Sequence, residues 1–432
     1  MNRDAVEIHP LVQRLLEARR VSDALFAAVK RDFLYERPIG ERHRIVFYIG
    51  HLEAFDRNLF SERLFDLPSF DPKLDALFAF GIDPVDGGLP TDVPSDWPAL
   101  DVVLAYAQRA REQIDARLHA FDLGSGAIHT SSPAQLLNVA IEHRLMHVET
   151  LAYMLHQLPL DQKHAPSDAA HAGSSDGSHT LSPSMVHVPA GTAILGMPRE
   201  GGRFGWDNEF GEARIDVPAF EIDRYMVTNG EYRAFVEAGG YRERALWNDK
   251  DWAWKEAQQI EHPVFWSQAG DGWTLRTMFD EIDLPPAWPA YVSHAEASAY
   301  ARWRGKSLPT EAQWQRAAHG IDQPTSGNFD FRSWDPQPVD AFPESRSTFG
   351  AEGLHGNGWE WTSTLFEPLP GFEPFPFYLG YSANFFDGQH YVLKGGSART
   401  ARCMLRPTFR NWFQPRYQYV YAGFRCVSAC DK

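Results

Sequence analysis

The chain has 432 residues, of which 44% are hydrophobic and 13% aromatic, so it can bury a sizeable core and is long enough for about two to three domains. Its 41 Lys and Arg against 57 Asp and Glu give a formal charge of −16, which disfavours nucleic acid or an anionic membrane as the main partner. No apolar run reaches the length of a membrane span, and the first residues lack the pattern of a signal peptide. Three cysteines are too few and too clustered for a disulfide framework. The expected compartment is therefore the cytoplasm.

Residues 1–160 are predicted to form an antiparallel bundle of helices. Three segments carry apolar residues at three- and four-residue spacing with charges between them: 11–29, 100–121 and 134–158. Ser132 supplies a start signal for the last of these helices. Gly and Pro interrupt the pattern between Phe78 and Pro98, which predicts a long loop over the bundle.

The composition changes abruptly after the helices. Residues 161–184 contain no aromatic residue and one large apolar residue, which predicts a flexible linker because so little surface can be buried. The irregular spacing of the linker histidines, His164, His171 and His179, favours solvated side chains over a metal site. Residues 185–432 are rich in Trp, Gly and Pro, with short strand-like runs and few helical segments, which predicts a loop-rich α+β domain.

Three histidines are the most informative residues of the helical region. His143 and His147 lie four residues apart on one predicted helix, so both project from the same face and can chelate one metal ion. His51, on an earlier predicted helix among apolar residues, is a candidate third ligand that leaves positions open for oxygen or substrate. The spacing alone leaves other interpretations, namely ordinary surface histidines, a core histidine at position 51, or zinc instead of iron.

Two sets of motifs resemble known families. His51 and the H-x-x-x-H-x-E pattern at 143–149 resemble the metal site of DinB-like bundles. The second region resembles the formylglycine-generating-enzyme (sulfatase-modifying-factor, C-type-lectin-like) fold. Its motifs follow in the expected order: RFGWDNE (203–209), VTNGEYRAF (227–235), RGKSLPTEAQW (304–314), GNGWEWT (356–362), VLKGGS (392–397), RPTFRNWF (406–413) and AGFR (422–425).

The two domains in this order resemble the ergothioneine sulfoxide synthases, the EgtB-like proteins. The resemblance implies a DinB-like four-helix bundle at 1–160, a linker at 161–184 and a formylglycine-generating-enzyme-like domain at 185–432. It also implies a non-haem Fe(II) enzyme that uses O2 to join a chalcogen donor to C2 of the imidazole of hercynine, which is trimethylhistidine. The implied iron ligands are His51, His143 and His147.

The same resemblance assigns residues of the second domain. Asn411 and Trp412 match a family pair that contributes to the hercynine pocket, where an aromatic face suits the trimethylammonium group and an amide suits the carboxylate. Packing of a loop-rich core is the alternative role for Trp412. The family also places a proton-donating tyrosine before the GGS turn, for which this sequence offers Tyr378 and Tyr381. Tyr378 is the preferred candidate.

The donor is inferred from departures from the family pattern. Members that use γ-glutamylcysteine hold its carboxylates with arginines in a bundle loop, but residues 80–98 contain no Arg or Lys and four Asp. The acid that often faces the ammonium of the donor is Phe413 here, and a glutamine often found before the second helix histidine is Met146. An uncharged donor fits such a site better. The relative that takes such a donor is selenoneine synthase, so the resemblance implies C–Se bond formation between a selenosugar and hercynine.

Several alternatives stay open. The first is an ergothioneine-type enzyme that takes sulfur from γ-glutamylcysteine or cysteine, and the others are a metal-dependent thiol transferase and a non-catalytic trimethylammonium-binding protein. Formylglycine generation is disfavoured because Thr400 and Leu405 stand at or near the positions of its paired cysteines. The three cysteines are predicted to be buried small hydrophobic residues and not catalytic thiols: Cys403, Cys426 and Cys430.

Overall fold

A computed structural model describes residues 9–82, 89–119, 121, 128–129, 131–166 and 178–430. The described residues up to 166, together with 202–204, form one compact unit, and the remaining ones form a second. Among the described residues, no helix combines the length and the apolar character that crossing a membrane requires.

The first unit is helical. Within the described residues it contains the helices α1 (Pro10–Ala27), α2 (Ile45–Phe60), α3 (Pro72–Phe80), α4 (Leu100–Leu118) and α5 (Pro133–His156). Helix α1 packs against α5, and α2 packs against α3, α4 and α5. Helix α5 begins at the predicted signal, because the Ser132 side chain accepts a hydrogen bond of 3.2 Å from the backbone N–H of Gln135. Four long helices therefore form a bundle.

Helix α3 was not predicted. Its last residues, 78–80, occupy the start of the segment that was predicted as a loop. The Asp71 side chain caps it by accepting from the N–H of Leu74 at 3.1 Å, and Pro72 occupies its first turn. A helix this short shows too few turns for its periodicity to be recognised. Residues 83–88 of the predicted loop lie outside the described residues.

The first residues of the predicted linker belong to the helical unit. Val29 and Lys163 form an antiparallel bridge, and the N–H of His164 donates to the carbonyl of Ala28 at 2.8 Å. The prediction of a flexible chain is therefore wrong for residues 161–166. Backbone hydrogen bonds hold this segment, and such bonds leave no signal in side-chain composition.

The second unit is α+β and rich in loops. Its helices are α6 (Asn229–Glu237), α7 (Asp249–Gln258), α8 (His294–Trp303) and α9 (Glu311–Ala317). Its strands are β1 (Met185–Val188), β2 (Gly191–Leu195), β3 (Ala213–Val217), β4 (Phe220–Asp223), β5 (Trp266–Ala269), β6 (Gly272–Arg276), β7 (Glu281–Asp283), β8 (Trp359–Leu365), β9 (Tyr391–Lys394), β10 (Asn411–Phe413), β11 (Ala422–Gly423) and β12 (Val427–Ala429). They form four sheets with the orders β1-β4-β12, β10-β9-β8-β11, β2-β3 and β5-β6-β7.

A buried ion pair joins two of the sequence motifs in this unit. Arg425, in the AGFR motif, donates from Nε to the Glu360 carboxylate at 2.9 Å, and both side chains are fully buried. The indole N–H of Trp314 donates to the other carboxylate oxygen of Glu360 at 2.9 Å. Because a buried charge is stable only when it is paired and hydrogen-bonded, these motif residues hold the loops around β8 in place.

The structure tests two predictions about side chains in this unit. His179, predicted to be solvated, keeps 40% of its side chain exposed and lies with Nε2 3.0 Å from a carboxylate oxygen of Asp340, while His171 lies outside the described residues. None of the three cysteines forms a disulfide, and only Cys426 is buried; Cys403 and Cys430 are half-buried. The prediction of three buried cysteines is therefore wrong for two of them.

Candidate metal centre

The structure brings His51, His143 and His147 together in the helical unit. The ring centroids of His51 lie 5.4 Å from His143 and 4.9 Å from His147, and the last two are 4.5 Å apart. One ligand atom from each ring lies within 4.8 Å of the others. His143 is buried, whereas His51 and His147 keep part of their surface exposed, so a small ligand can reach the group.

A buried ion network sets the register between α2, which carries His51, and α5, which carries the other two histidines. Arg144 donates from Nη1 to Glu53 Oε1 at 2.8 Å and from Nη2 to Asp56 Oδ2 at 2.7 Å. All three side chains are almost completely buried. Since Glu53 and Asp56 follow His51 within the next two turns of α2, the network positions the histidines on the two helices against each other.

The tautomer of His51 follows from its hydrogen bond. Its Nδ1 lies 2.8 Å from the carbonyl oxygen of Phe78. A carbonyl only accepts, so Nδ1 carries the proton and donates, and the Nε2 lone pair is left for a metal ion. A metal-binding histidine commonly donates its other ring N–H in this way.

The protein keeps the three imidazoles neutral. Burial lowers the pKa of His51 to about 4, against the opposing effect of its hydrogen bond to Phe78. Burial and the neighbouring rings hold the pKa values of His143 and His147 well below the usual range. Neutral imidazole is the form that binds metal.

Two phenylalanines of α2 cover the histidine rings, and sequence reasoning missed both. Phe47 stacks on His51 with centroids 4.7 Å apart, and Phe55 stacks on His143 at 3.4 Å. They lie four residues before and after His51, so helical spacing was the signal that could have identified them. These rings exclude water from one side of the histidine group.

The donor set fits a divalent transition metal ion. It consists of three neutral nitrogen donors, one of them with its tautomer already selected, and it retains an exposed side. Nδ1 of His147 is buried without a hydrogen-bond partner among the described residues. Three imidazoles with open positions suit iron or zinc, and the donor types alone do not choose between them. Met146, half-buried, precedes His147 on α5.

In the second unit, three of the predicted aromatic residues, Trp412, Tyr378 and Tyr381, form one group. Trp412, on β10, stacks on Phe366 with centroids 4.2 Å apart and planes at 8°, and it meets Tyr381 edge-on at 5.4 Å. Tyr381 stacks on Trp206 at 4.0 Å, and Tyr378 lies 5.6 Å from Tyr381. Trp412 is half-buried, so part of the indole remains exposed for a ligand.

Phe413 and Asn411 make different contacts from Trp412. Phe413 stacks on Tyr417 with centroids 5.1 Å apart and planes at 9°, so it is not part of the aromatic group around Trp412. Successive side chains of a strand point to opposite faces, which accounts for the separation. The Asn411 side chain accepts through Oδ1 from the Trp412 N–H at 2.9 Å, leaving its NH2 group as a donor.

An acidic residue that sequence reasoning missed lies near Tyr378. Asp207, in the RFGWDNE motif, is buried and accepts a hydrogen bond of 2.6 Å from the Ser382 hydroxyl. Burial raises the pKa of Asp207 to about 6. Burial, together with the charge of Asp207, raises the pKa of Tyr378 to about 12. The Tyr378 hydroxyl therefore keeps its proton throughout the neutral range.

Side chains from outside residues 80–98 compensate part of the negative charge of this loop, which was predicted to repel anions. Asp92 is buried and accepts hydrogen bonds from Arg37, from Arg44 Nε at 2.9 Å and from the Trp97 indole N–H at 2.7 Å. Asp96 accepts from a backbone N–H of its own turn. Arginines from outside the loop thus neutralise Asp92, so counting this residue as a free charge was wrong; Asp83 and Asp86 lie outside the described residues.

Comparison with known proteins gives matches in both units. Residues 172–430 match the sulfatase-modifying factor enzyme 1-like domain, and residues 14–151 match the DinB superfamily, which agrees with the predicted fold class. A hercynine oxygenase of Mycolicibacterium thermoresistibile is 39% identical over 260 residues, covering 55% of this chain and 57% of that protein.

Two further relatives extend the match. A hercynine oxygenase of Mycolicibacterium smegmatis is 33% identical over 341 residues, covering 72% of this chain and 77% of that protein. Ergothioneine biosynthesis protein 1 of Neurospora crassa is 26% identical over 492 residues, covering 92% of this chain and 55% of that protein. The match thus spans little more than half the length of the M. thermoresistibile and N. crassa relatives.

Proposed function

This chain belongs to the EgtB-like family, in which a DinB-type bundle precedes a sulfatase-modifying-factor domain, and from that premise we propose that it is an Fe(II)- and O2-dependent enzyme that joins a sulfur donor to C2 of the imidazole of hercynine. The observation that carries the proposal is the neutral three-histidine group, whose ligand atoms lie within 4.8 Å of one another. The relatives named hercynine oxygenase and ergothioneine biosynthesis protein 1 support the substrate and the ergothioneine-type product.

The helical unit is proposed to hold the iron through the three histidines. When bound there, Fe(II) supplies oxygen activation and one-electron chemistry. The Phe78 carbonyl accepts the Nδ1–H of His51, which would leave the Nε2 lone pair for the metal. Phe47 and Phe55 keep water from the covered side of the rings.

The second unit is proposed to recognise hercynine. The trimethylammonium group is a permanent cation without N–H donors, so an indole that is only half-buried, such as that of Trp412, can attract it. The Asn411 NH2 group is a suitable donor for the substrate carboxylate, because its Oδ1 is already occupied. Tyr378 is proposed to supply a proton, since its raised pKa keeps the hydroxyl protonated at neutral pH.

The test is an oxygen-uptake assay with the full chain, reconstituted with Fe(II) in the absence of air. Hercynine and a thiol are added together and separately, and the products are identified by mass. Oxygen uptake that requires both, with a C–S product, supports the proposal. A thiol transferase consumes no oxygen, and a non-catalytic binding protein binds hercynine without turnover; either result would refute the proposed reaction.

A second candidate donor is a selenosugar, with C–Se bond formation to hercynine. It is favoured by the absence of Arg and Lys from residues 80–98 and by Phe413 at the position of the family acid. Against it stand the names of the relatives and the neutralisation of Asp92 by two arginines. Parallel assays with a selenosugar, cysteine and γ-glutamylcysteine choose between the donors.

A further inference from the structure

The sheet β1-β4-β12 of the second unit carries a separate cluster of metal-binding side chains. His187 on β1 and Glu221 on β4 are direct partners in the antiparallel register, and β12 pairs with the other edge of β4. Cys430 is the residue after β12. Ligand atoms of all three side chains lie within 4.8 Å of one another.

The two short contacts within this cluster share one atom, a ring nitrogen of His187. Nδ1 of His187 lies 3.1 Å from Oε1 of Glu221 and 3.5 Å from Sγ of Cys430. A nucleophile–base–acid relay places its partners on opposite ring nitrogens, so this arrangement is not a catalytic triad. One ring N–H serves one acceptor well, whereas a cation at this point can bind the nitrogen, the carboxylate oxygen and the sulfur together.

We propose that His187, Glu221 and Cys430 bind a divalent transition metal ion of the zinc type, with water completing the coordination. Tetrahedral zinc has bonds of about 2.3 Å to sulfur and about 2.0–2.2 Å to nitrogen and oxygen. Neighbouring ligand atoms are then about 3.5 Å apart for sulfur and nitrogen, and about 3.3 Å apart for nitrogen and oxygen. The observed separations of 3.5 Å and 3.1 Å come close to these values without any rearrangement of the backbone.

The site differs in chemistry from the three-histidine group. Its thiolate makes it the softer site and favours zinc or cobalt. Binding releases the proton of the Cys430 thiol and leaves two anionic ligands around the cation. The ion links β1, β4 and the chain after β12, so it stabilises this sheet.

The test uses Co2+ as a spectroscopic probe in the full chain, because cobalt bound to a thiolate absorbs in the near ultraviolet and cobalt bound only to histidines does not. The protein is titrated with Co2+ both unchanged and as His147→Ala, which removes a ligand of the first group. We expect the thiolate band in both proteins, saturating at one cobalt ion per chain in His147→Ala, and its loss when Zn2+ is added.

Two cysteine variants test which cysteine supplies the thiolate that binds cobalt. Cys430→Ser is expected to abolish the band, and Cys403→Ser, which removes the other half-buried thiol, is expected to leave it unchanged. His187→Gln should weaken cobalt binding by at least about tenfold, since even changes outside the ligand shell cost about 10–100-fold. No band in the unchanged protein, or an equal band in Cys430→Ser, would overturn the proposal.

Discussion

The Nδ1–H of His51 donates a hydrogen bond of 2.8 Å to the carbonyl oxygen of Phe78, 27 residues farther along the chain. Phe78 lies in the last turn of α3, where carbonyl groups have no partner within the helix. One hydrogen bond therefore satisfies a helix end and selects the tautomer of a candidate metal ligand. The short helix α3 thus contributes to the histidine group without supplying a ligand.

Gly50 controls this contact, because a Cβ atom added to it would lie 2.3 Å from the Phe78 ring. We expect Gly50→Ala to displace Phe78, to remove the hydrogen bond to His51 and to weaken Fe(II) binding by about 10–100-fold. The control is Gly40→Ala, since a Cβ there meets nothing within 4 Å. Dissociation constants for Fe(II) under anaerobic conditions are the measurement. Equal affinities for both variants would contradict the role given to Phe78.

His147→Ala is expected to remove bound iron and oxygen uptake together. The variant keeps two of the three nitrogen donors. Loss of a ligand is expected to weaken iron binding by at least about 10–100-fold, because changes to residues outside the ligand shell already weaken it that much. Metal analysis after reconstitution and hercynine-dependent oxygen uptake measure the effect. His119→Ala, at the exposed end of α4, is the control. If the His147→Ala protein keeps its iron and its turnover, the site assignment is wrong.

Arg144→Met tests the buried network that connects α2 to α5. The change leaves Glu53 and Asp56 buried with less compensation, which costs about 3–5 kcal/mol of stability for a broken buried pair. Urea unfolding of the helices, followed by circular dichroism, measures the loss. Arg20→Met is the control, since the Arg20–Glu17 pair is exposed and such pairs contribute about 0–1 kcal/mol. Similar losses in both variants would exclude a special role for the network.

The two tyrosine candidates are expected to respond differently. Tyr378→Phe removes a hydroxyl whose pKa is raised to about 12, and losing a proton donor lowers turnover by about 10²–10⁴-fold. Tyr381→Phe keeps the ring that stacks on Trp206 at 4.0 Å and should reduce turnover far less. Steady-state kinetics with hercynine at neutral pH compare them. A larger loss in Tyr381→Phe would transfer the role to that residue.

Phe413 is expected to affect the choice of donor. Phe413→Asp restores a carboxylate that can pair with the ammonium group of a thiol donor, and such a contact contributes about 1.5–3 kcal/mol, or roughly 10–100-fold. The kcat/KM values for γ-glutamylcysteine and for a selenosugar are measured in parallel. Phe413→Asn is the neutral control. If the unchanged protein uses both donors equally well, the inference drawn from Phe413 and the loop is refuted.

Sequence patterns located the long helices, whose deciding contacts are local. Helical periodicity located α1, α4 and α5 closely, because an apolar face repeats within each helix. The spacing of His143 and His147 placed both rings on one face for the same reason. The ordered motifs of the second domain indicated its fold, which agrees with the family match over residues 172–430.

Tertiary structure decided whatever depends on residues far apart in the chain. The sequence proposed His51 as a third ligand, but its position beside the other histidines depends on the Arg144 network, and its tautomer depends on the Phe78 carbonyl. The charge of Asp92 is compensated by Arg37 and Arg44. The composition gives the number of charged residues but not which of them form ion pairs, since pairing depends on how distant segments pack together.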